Sequence, residues 1–134
     1  MSSMLIQALL HKGHASKVDD VSLDNFLKQH RHSLLFFAGN VNRYPESNDL
    51  AVILPELLKA FDKQFQIGLV SETVEKTWQQ RFGFTHWPSL VLLRGEHYLG
   101  VISQLQDWVN YCAEIQRLLQ SDPVSLPGTT LPVL

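Results

Sequence analysis

Only one cysteine, Cys112, stands in a chain of 134 residues. A lone thiol closes no intramolecular disulfide and forms no Cys-x-x-Cys pair, so the fold must stand on packing, as suits a reducing compartment. The chain has no Gly-x-Ser-x-Gly elbow, no Gly-rich phosphate loop and no His-Glu-x-x-His. The local signatures of hydrolase, nucleotide-binding and zincin chemistry are therefore missing. A Ser-His-Asp triad is a matter of geometry and cannot be read from the presence of those residues. The close histidine pairs His11/His14 and His30/His32 enclose no Asp or Glu at ligand spacing, so neither a metal nor another cofactor is expected. Charge is sparse and nearly balanced, at 18% and net −2, which gives no pull toward nucleic acid or an anionic membrane. The apolar run from Met4 to Leu10 is broken by Gln7 and has no Lys or Arg before Lys12. It makes a poor signal peptide and is too short to cross a bilayer. A cytoplasmic protein without membrane insertion is expected.

What is present is an alternation of short apolar runs and helical stripes. An extra N-terminal helix is predicted over about residues 4–12, then a short strand over Ser16–Val21, and then a helix capped by Ser22 with Leu23, Phe26 and Leu27 on one face. Leu34 to Ala38 is apolar without alternation, which suggests a strand covered on both faces. Val41 to Asp49 is polar, contains Pro45 and reads as a loop, with Asn48 or Asp49 capping the next helix. That helix carries Leu50, Ile53, Leu54, Leu57, Leu58 and Phe61 at helical spacing, with Pro55 inside it as a kink. Gln66–Val70 is the next strand. Ser71 then caps a helix with Glu72 and Glu75 in its first turn, Val74, Trp78 and Phe82 on its buried side, and Gly83 as its terminator. Ser89–Leu93 and His97–Ile102 form a hairpin through Arg94-Gly95-Glu96. Ser103 and Gln106 suggest a capping box for a last helix that buries Leu105, Trp108, Val109, Cys112, Ile115 and Leu119. Residues 121–134, with Pro123, Pro127 and Pro132, are expected to be a flexible tail, leaving one domain over residues 1–120. The order β-α-β-α-β-α-β-β-α predicts an α/β fold with a mixed central sheet and helices on both faces.

This order is that of thioredoxin, and two segments strengthen the likeness. The helix Leu50 to Leu58 with Pro55 resembles the thioredoxin active-site helix. Arg81 to Leu90 resembles the segment entering its cis-proline, which places Pro88 on that proline. Alignment on Pro55 sets Ser47-Asn48-Asp49-Leu50 where a thioredoxin carries Cys-x-x-Cys, and Leu35 or Phe36 near its buried acid. The parts needed for thiol exchange are missing together. The chain more closely resembles the HyaE/HupG hydrogenase-accessory family through Arg81-Phe82-Gly83, Trp87-Pro88-Ser89-Leu90-Val91 and Tyr98-x-Gly100-Val101. Arg43-x-Pro45-Glu46 and Pro55-Glu56-Leu57-Leu58 add to the match. The resemblance implies a thioredoxin-like three-layer sandwich. It also implies a cytoplasmic accessory protein for nickel–iron uptake hydrogenases, whose partner is the twin-arginine signal peptide of the hydrogenase small subunit before export. Other hydrogenase accessory proteins are possible further partners.

Candidate binding residues follow. Four acids and two bases lie between Val41 and Asp62, and Glu46 and Asp49 surround the start of the proline-containing helix, with Glu56 further along it. The resemblance sets Trp87 and Pro88 opposite. Carboxylates accept bidentate bonds from arginine, and an exposed indole offers an apolar shelf. The plainer readings are Asp49 as a cap, Glu46 as a solvated loop acid, and Trp87 as core alongside Trp78 and Trp108. The expectation is therefore a binding protein and not an enzyme. The alternative is a thiol-redox or metal-dependent enzyme using Cys112 or the histidines, although Cys112 lies on an apolar stripe with Arg117 its nearest basic neighbour in sequence.

Overall fold

The structure, a computed structural model, describes residues 3–127. Its sheet has five strands in the order β1-β3-β2-β4-β5. β1 (Ala15–Val18), β2 (His32–Phe37) and β3 (Gln66–Val70) are parallel, with β3 between the other two. β4 (Ser89–Arg94) runs antiparallel to β2, and β5 (His97–Ser103) closes the hairpin on β4. α1 (Met4–His11), α3 (Glu46–Ala60) and α5 (Trp108–Leu119) pack on one face; α2 (Leu23–Gln29) and α4 (Glu72–Phe82) pack on the other.

The apolar run of β2 explains why both faces are covered. Leu34 and Phe36 point into the core shared with α1, α3 and α5, while Leu35 and Phe37 enter the core shared with α2 and α4. Successive strand side chains alternate in direction, so a strand with no polar alternation needs a layer on each side. A bulge opposite Leu92 and Leu93 breaks the alternation of β5, so that Leu99 and Ile102, three residues apart, both face the α1/α3/α5 core while Tyr98 and Val101 face the other. Gly100 beside it makes room for α5: a Cβ there would lie 2.6 Å from Leu118 Cδ2, and that side chain would have to shift.

Several local expectations are corrected. β1 stops at Val18 because Asp19 starts a turn: its carboxylate accepts the amides of Val21 at 2.9 Å and Ser22 at 3.0 Å. Ser22 stands at the N-cap position of α2 as expected, but its Oγ accepts the Asp19 amide at 3.0 Å and closes that turn, and makes no cap bond to the helix. α3 starts at Glu46, ahead of Asn48 and Asp49. Pro45, with φ −63°, leads into it and needs no capping side chain. The cap of α5 is Asp107, which accepts from the Asn110 amide at 2.8 Å; Gln106 reaches back to the Ser103 carbonyl instead. The buried stripe of α5 is Tyr111, Ile115 and Leu118. Trp108 shares that stripe by period, but it lies in the first turn and no element covers it: it is 43% exposed, and Val109 and Leu105 are exposed too.

Beyond α5 the chain turns back. The Val124 amide donates to the Tyr98 carbonyl at 2.9 Å, and Leu126 packs on the α2/α4 side of the sheet. Of the stretch expected to be a tail, residues 128–134 lie outside the described residues.

Candidate functional site

The Trp87-Pro88 peptide bond is cis, and several segments converge on it. β2 ends at Phe37 and the chain leaves through Ala38 and Gly39. Ser47, in the first turn of α3, donates its hydroxyl to the Ala38 carbonyl and ties that helix to the strand end. Tyr44, just before α3, stacks on Trp87 with ring centres 5.6 Å apart and planes 23° apart. Phe84 meets the same indole edge-on at 5.5 Å. Trp87 Nε1 donates to Glu75 Oε1 at 3.1 Å, and Glu75 Oε2 accepts the Gly39 amide at 3.3 Å. A Cβ on Gly39, whose φ is +67°, would lie 2.7 Å from Trp87 Cδ1. Only glycine suits both the backbone and the space there. From the other side, the Gln104 amide donates to the Pro88 carbonyl at 2.8 Å, and the Ser89 and Ser103 hydroxyls pair at 3.1 Å.

Glu75 is the charged member of this knot. Burial pushes its carboxyl above the usual glutamate range, against the opposing pull of the Gly39 amide and the Trp87 indole; nearby Glu72 adds to the rise. Beside it, at the carboxyl ends of the parallel strands, opens a cleft of about 310 Å³ walled in part by Lys17, Gly39, Val70, Ser71 and Thr73.

The candidates named from sequence fall in two places. Glu46 and Asp49 are exposed in the first turn of α3, and Tyr44 joins the entry of that helix to Trp87 and Pro88. Trp87 is half-buried. It is less open than a free shelf, because Tyr44, Phe84, Gly39 and Glu75 hold much of its perimeter. Glu56 stands apart. Ten residues of helix separate it from Glu46, about 15 Å along the axis, and it lines a groove against α1 with Leu5, Ala8 and Lys12. At the positions aligned with the thioredoxin cysteines, Ser47 is sealed from solvent and Leu50 is core. Between them, Asn48 Oδ1 is buried without a hydrogen-bond partner among the described residues.

Tyr44, Gly39 and Glu75 were not legible as site residues. A signal for Glu75 does exist: it lies three residues before Trp78 and seven before Phe82, which makes it an acid on the buried stripe of α4. Cys112 is half-buried against the α1/α3/α5 core. Among the described residues no group of three or more His, Cys, Asp or Glu is placed to hold a metal, and no helix is long and apolar enough to cross a membrane.

A family model described as "Hydrogenase-1 expression protein HyaE" matches residues 5–111. The chain belongs to the HyaE family. Among curated relatives, the hydrogenase expression/formation protein HoxO of Azotobacter vinelandii is 44% identical over 117 residues, which is 87% of this chain and 77% of that protein. HoxO of Cupriavidus necator is 36% identical over 132 residues, 97% of this chain and 82% of the relative. Among solved structures, a putative hydrogenase expression/formation protein HupG from Rhodopseudomonas palustris aligns with a TM-score of 0.56 at 39% identity, covering 78% of this chain and 94% of that one. A thioredoxin mutant from Halobacterium salinarum aligns with a TM-score of 0.56 at 15% identity over 82% of this chain and 95% of its own. At that identity it speaks for the fold alone. This HyaE-family chain is thus a thioredoxin-like domain with a cis-proline loop, and Ser47 and Leu50 are buried at the start of α3.

Proposed function

We propose that this HyaE-family protein acts in the cytoplasm, without catalysis, as an accessory to nickel–iron uptake hydrogenase formation, and that it binds the twin-arginine signal peptide of the hydrogenase small subunit before export. The family and the names of its relatives support the accessory role. The observation that carries the finer reading is the joining of the entry to α3 and the cis-proline loop through the Tyr44–Trp87 stack, with Glu46 and Asp49 exposed beside it. Two solvent-facing carboxylates suit a ligand rich in guanidinium donors. Among the described residues, the Trp87 amide and carbonyl enter no hydrogen bond, so an extended peptide can pair with the loop as a short strand. Neither contact needs a thiol.

Calorimetric titration of a small-subunit signal peptide is the direct test. Its arms are the intact peptide, the Arg-pair-to-Lys peptide, and the intact peptide with a Glu46→Gln/Asp49→Asn variant. The expected result is binding by the intact peptide, weakened several-fold in each of the other two arms, since Lys does not replace Arg in bidentate pairing. Absence of binding by the intact peptide overturns the reading.

A further inference from the structure

We infer that the exposed patch Leu105, Trp108 and Val109 at the start of α5 seats the apolar stretch that follows the arginine pair of the same peptide. The inference rests on the signal-peptide reading above and assigns the half of the ligand that the carboxylates cannot hold.

The patch is unusual on this surface. Three of the eight exposed large apolar side chains among the described residues fall within positions 105–109, and one of them is a tryptophan. Exposed aliphatics scattered singly need no explanation. Grouped exposed apolar side chains mark an interaction site, and tryptophan is the side chain most often found as its anchor. The core does not use Trp108, because Tyr111, one turn later, fills the buried slot and is completely enclosed.

The patch is also fixed in place beside the cis-proline. The Gln104 amide donates to the Pro88 carbonyl at 2.8 Å, and the Gln104 carbonyl accepts the Tyr111 hydroxyl at 3.3 Å. Gln104 has φ +66°, a left-handed turn held from both ends, and Leu105 follows directly. Leu105, the first member of the patch, is therefore joined directly to the residue that bonds the loop on which the proposed site is built.

Charge is segregated across that loop. From Ser103 to Cys112 the only charged residue is Asp107, and its carboxylate is occupied as the helix cap. On the side of α3, Glu46 and Asp49 are exposed. A segment with two guanidinium groups followed by apolar residues has the same order of chemistry: cations for the acidic end, then side chains for an uncharged one. A uniformly basic peptide would leave the α5 patch uncovered, and a uniformly apolar one would strand the carboxylates.

The experiment uses the full chain and the signal peptide in two forms, intact and with its apolar stretch replaced by Ser and Gly. Trp108→Ala should weaken the intact peptide by about tenfold, the effect of removing one large apolar contact, and should leave the weaker Ser/Gly peptide unchanged. Val109→Ser is a milder second variant that should keep the wild-type melting temperature because that side chain is 75% exposed, and Trp108→Phe preserves the packing of the covered part of the ring. Trp108 is the most exposed of the tryptophans, since Trp78 is buried and Trp87 half-buried. Binding should therefore shift the emission to the blue, and Trp108→Phe should abolish most of the shift. If Trp108→Ala and Val109→Ser bind the intact peptide as wild type does while Glu46→Gln/Asp49→Asn weakens it, the patch assignment is wrong and the proposed function stands. If wild type does not bind the intact peptide, both fall.

Discussion

Glu75 bridges Trp87 and Gly39: one carboxylate oxygen accepts the indole N–H at 3.1 Å and the other accepts the glycine amide at 3.3 Å. A single side chain of α4 therefore fixes the cis-proline loop against the end of β2. Its carboxyl titrates above the usual glutamate value of 4.5, chiefly because burial penalises its charge. The folded state thus holds the Glu75 proton more tightly than the unfolded chain does. Stability from this group is fully present below 4.5 and falls as pH rises through the raised value. Glu75→Gln keeps an acceptor and removes the charge. Thermal melts of the two proteins between pH 4 and 8 should show wild type losing ground to the variant as pH increases. A difference that is constant over the whole range would contradict this account. Glu75→Ala leaves the indole and the amide without their acceptor and should cost about 1–3 kcal/mol at any pH.

Gly39 and Gly95 make a controlled pair. Both have positive φ, +67° and +57°, but a Cβ on Gly39 meets the Trp87 ring at 2.7 Å while one on Gly95 meets nothing within 4 Å. Gly95→Ala should carry only the left-handed backbone penalty, about 1–2 kcal/mol. Gly39→Ala should cost more and should also displace Trp87, seen as a changed tryptophan emission that Gly95→Ala lacks. Equal destabilisation with unchanged emission would mean that the indole yields freely.

The layers were readable because they rest on local pattern. Leu34 to Phe37 announced a strand with two covered faces, and Val74, Trp78 and Phe82 announced the inner side of α4; all are buried as read. The start of α3 was not readable, because Glu46 to Asp49 carries no apolar period, and the group that ties this turn down, Ser47, does so through a carbonyl nine residues earlier. Trp108 fits its stripe by period, and only the absence of a covering element leaves it in solvent. The site itself depends on pairs that no period encodes. Tyr44 stacks on Trp87 from more than forty residues earlier in the chain, and Glu75 reaches it across the turn after α4. Resemblance could place Trp87 and Pro88 in the loop, whereas the partners that hold them come from tertiary geometry.

Ser47 gives a test of how firmly the first turn of α3 is closed. It has no accessible surface, and its hydroxyl is committed to the Ala38 carbonyl. Ser47→Ala should lose about 1–3 kcal/mol by leaving that carbonyl without its donor. Ser47→Cys should yield a thiol that a bulky disulfide reagent does not modify under native conditions, because access is as necessary as thiolate character. Modification at the rate of the unfolded protein would show that the first turn of α3 opens readily.

His32 should impose a pH slope of the opposite sign. Arg94 Nε donates to His32 Nε2 at 3.1 Å, which requires that nitrogen to be an unprotonated acceptor. Burial first, then the charges of Arg94 and Arg31, hold the imidazole below its ordinary value of 6.5. The unfolded chain therefore takes up the proton more readily, and the contribution of His32 is present above 6.5 and lost as pH falls through the lowered value. His32→Gln offers Arg94 a carbonyl that does not titrate. Melts from pH 7.5 to 5 should fall more steeply for wild type than for this variant, and parallel curves would remove His32 as the cause. Glu75 favours the fold at low pH and His32 favours it at high pH. The double variant Glu75→Gln/His32→Gln should thus have a flatter stability profile than either single variant, with each slope removed independently because the two residues share no partner.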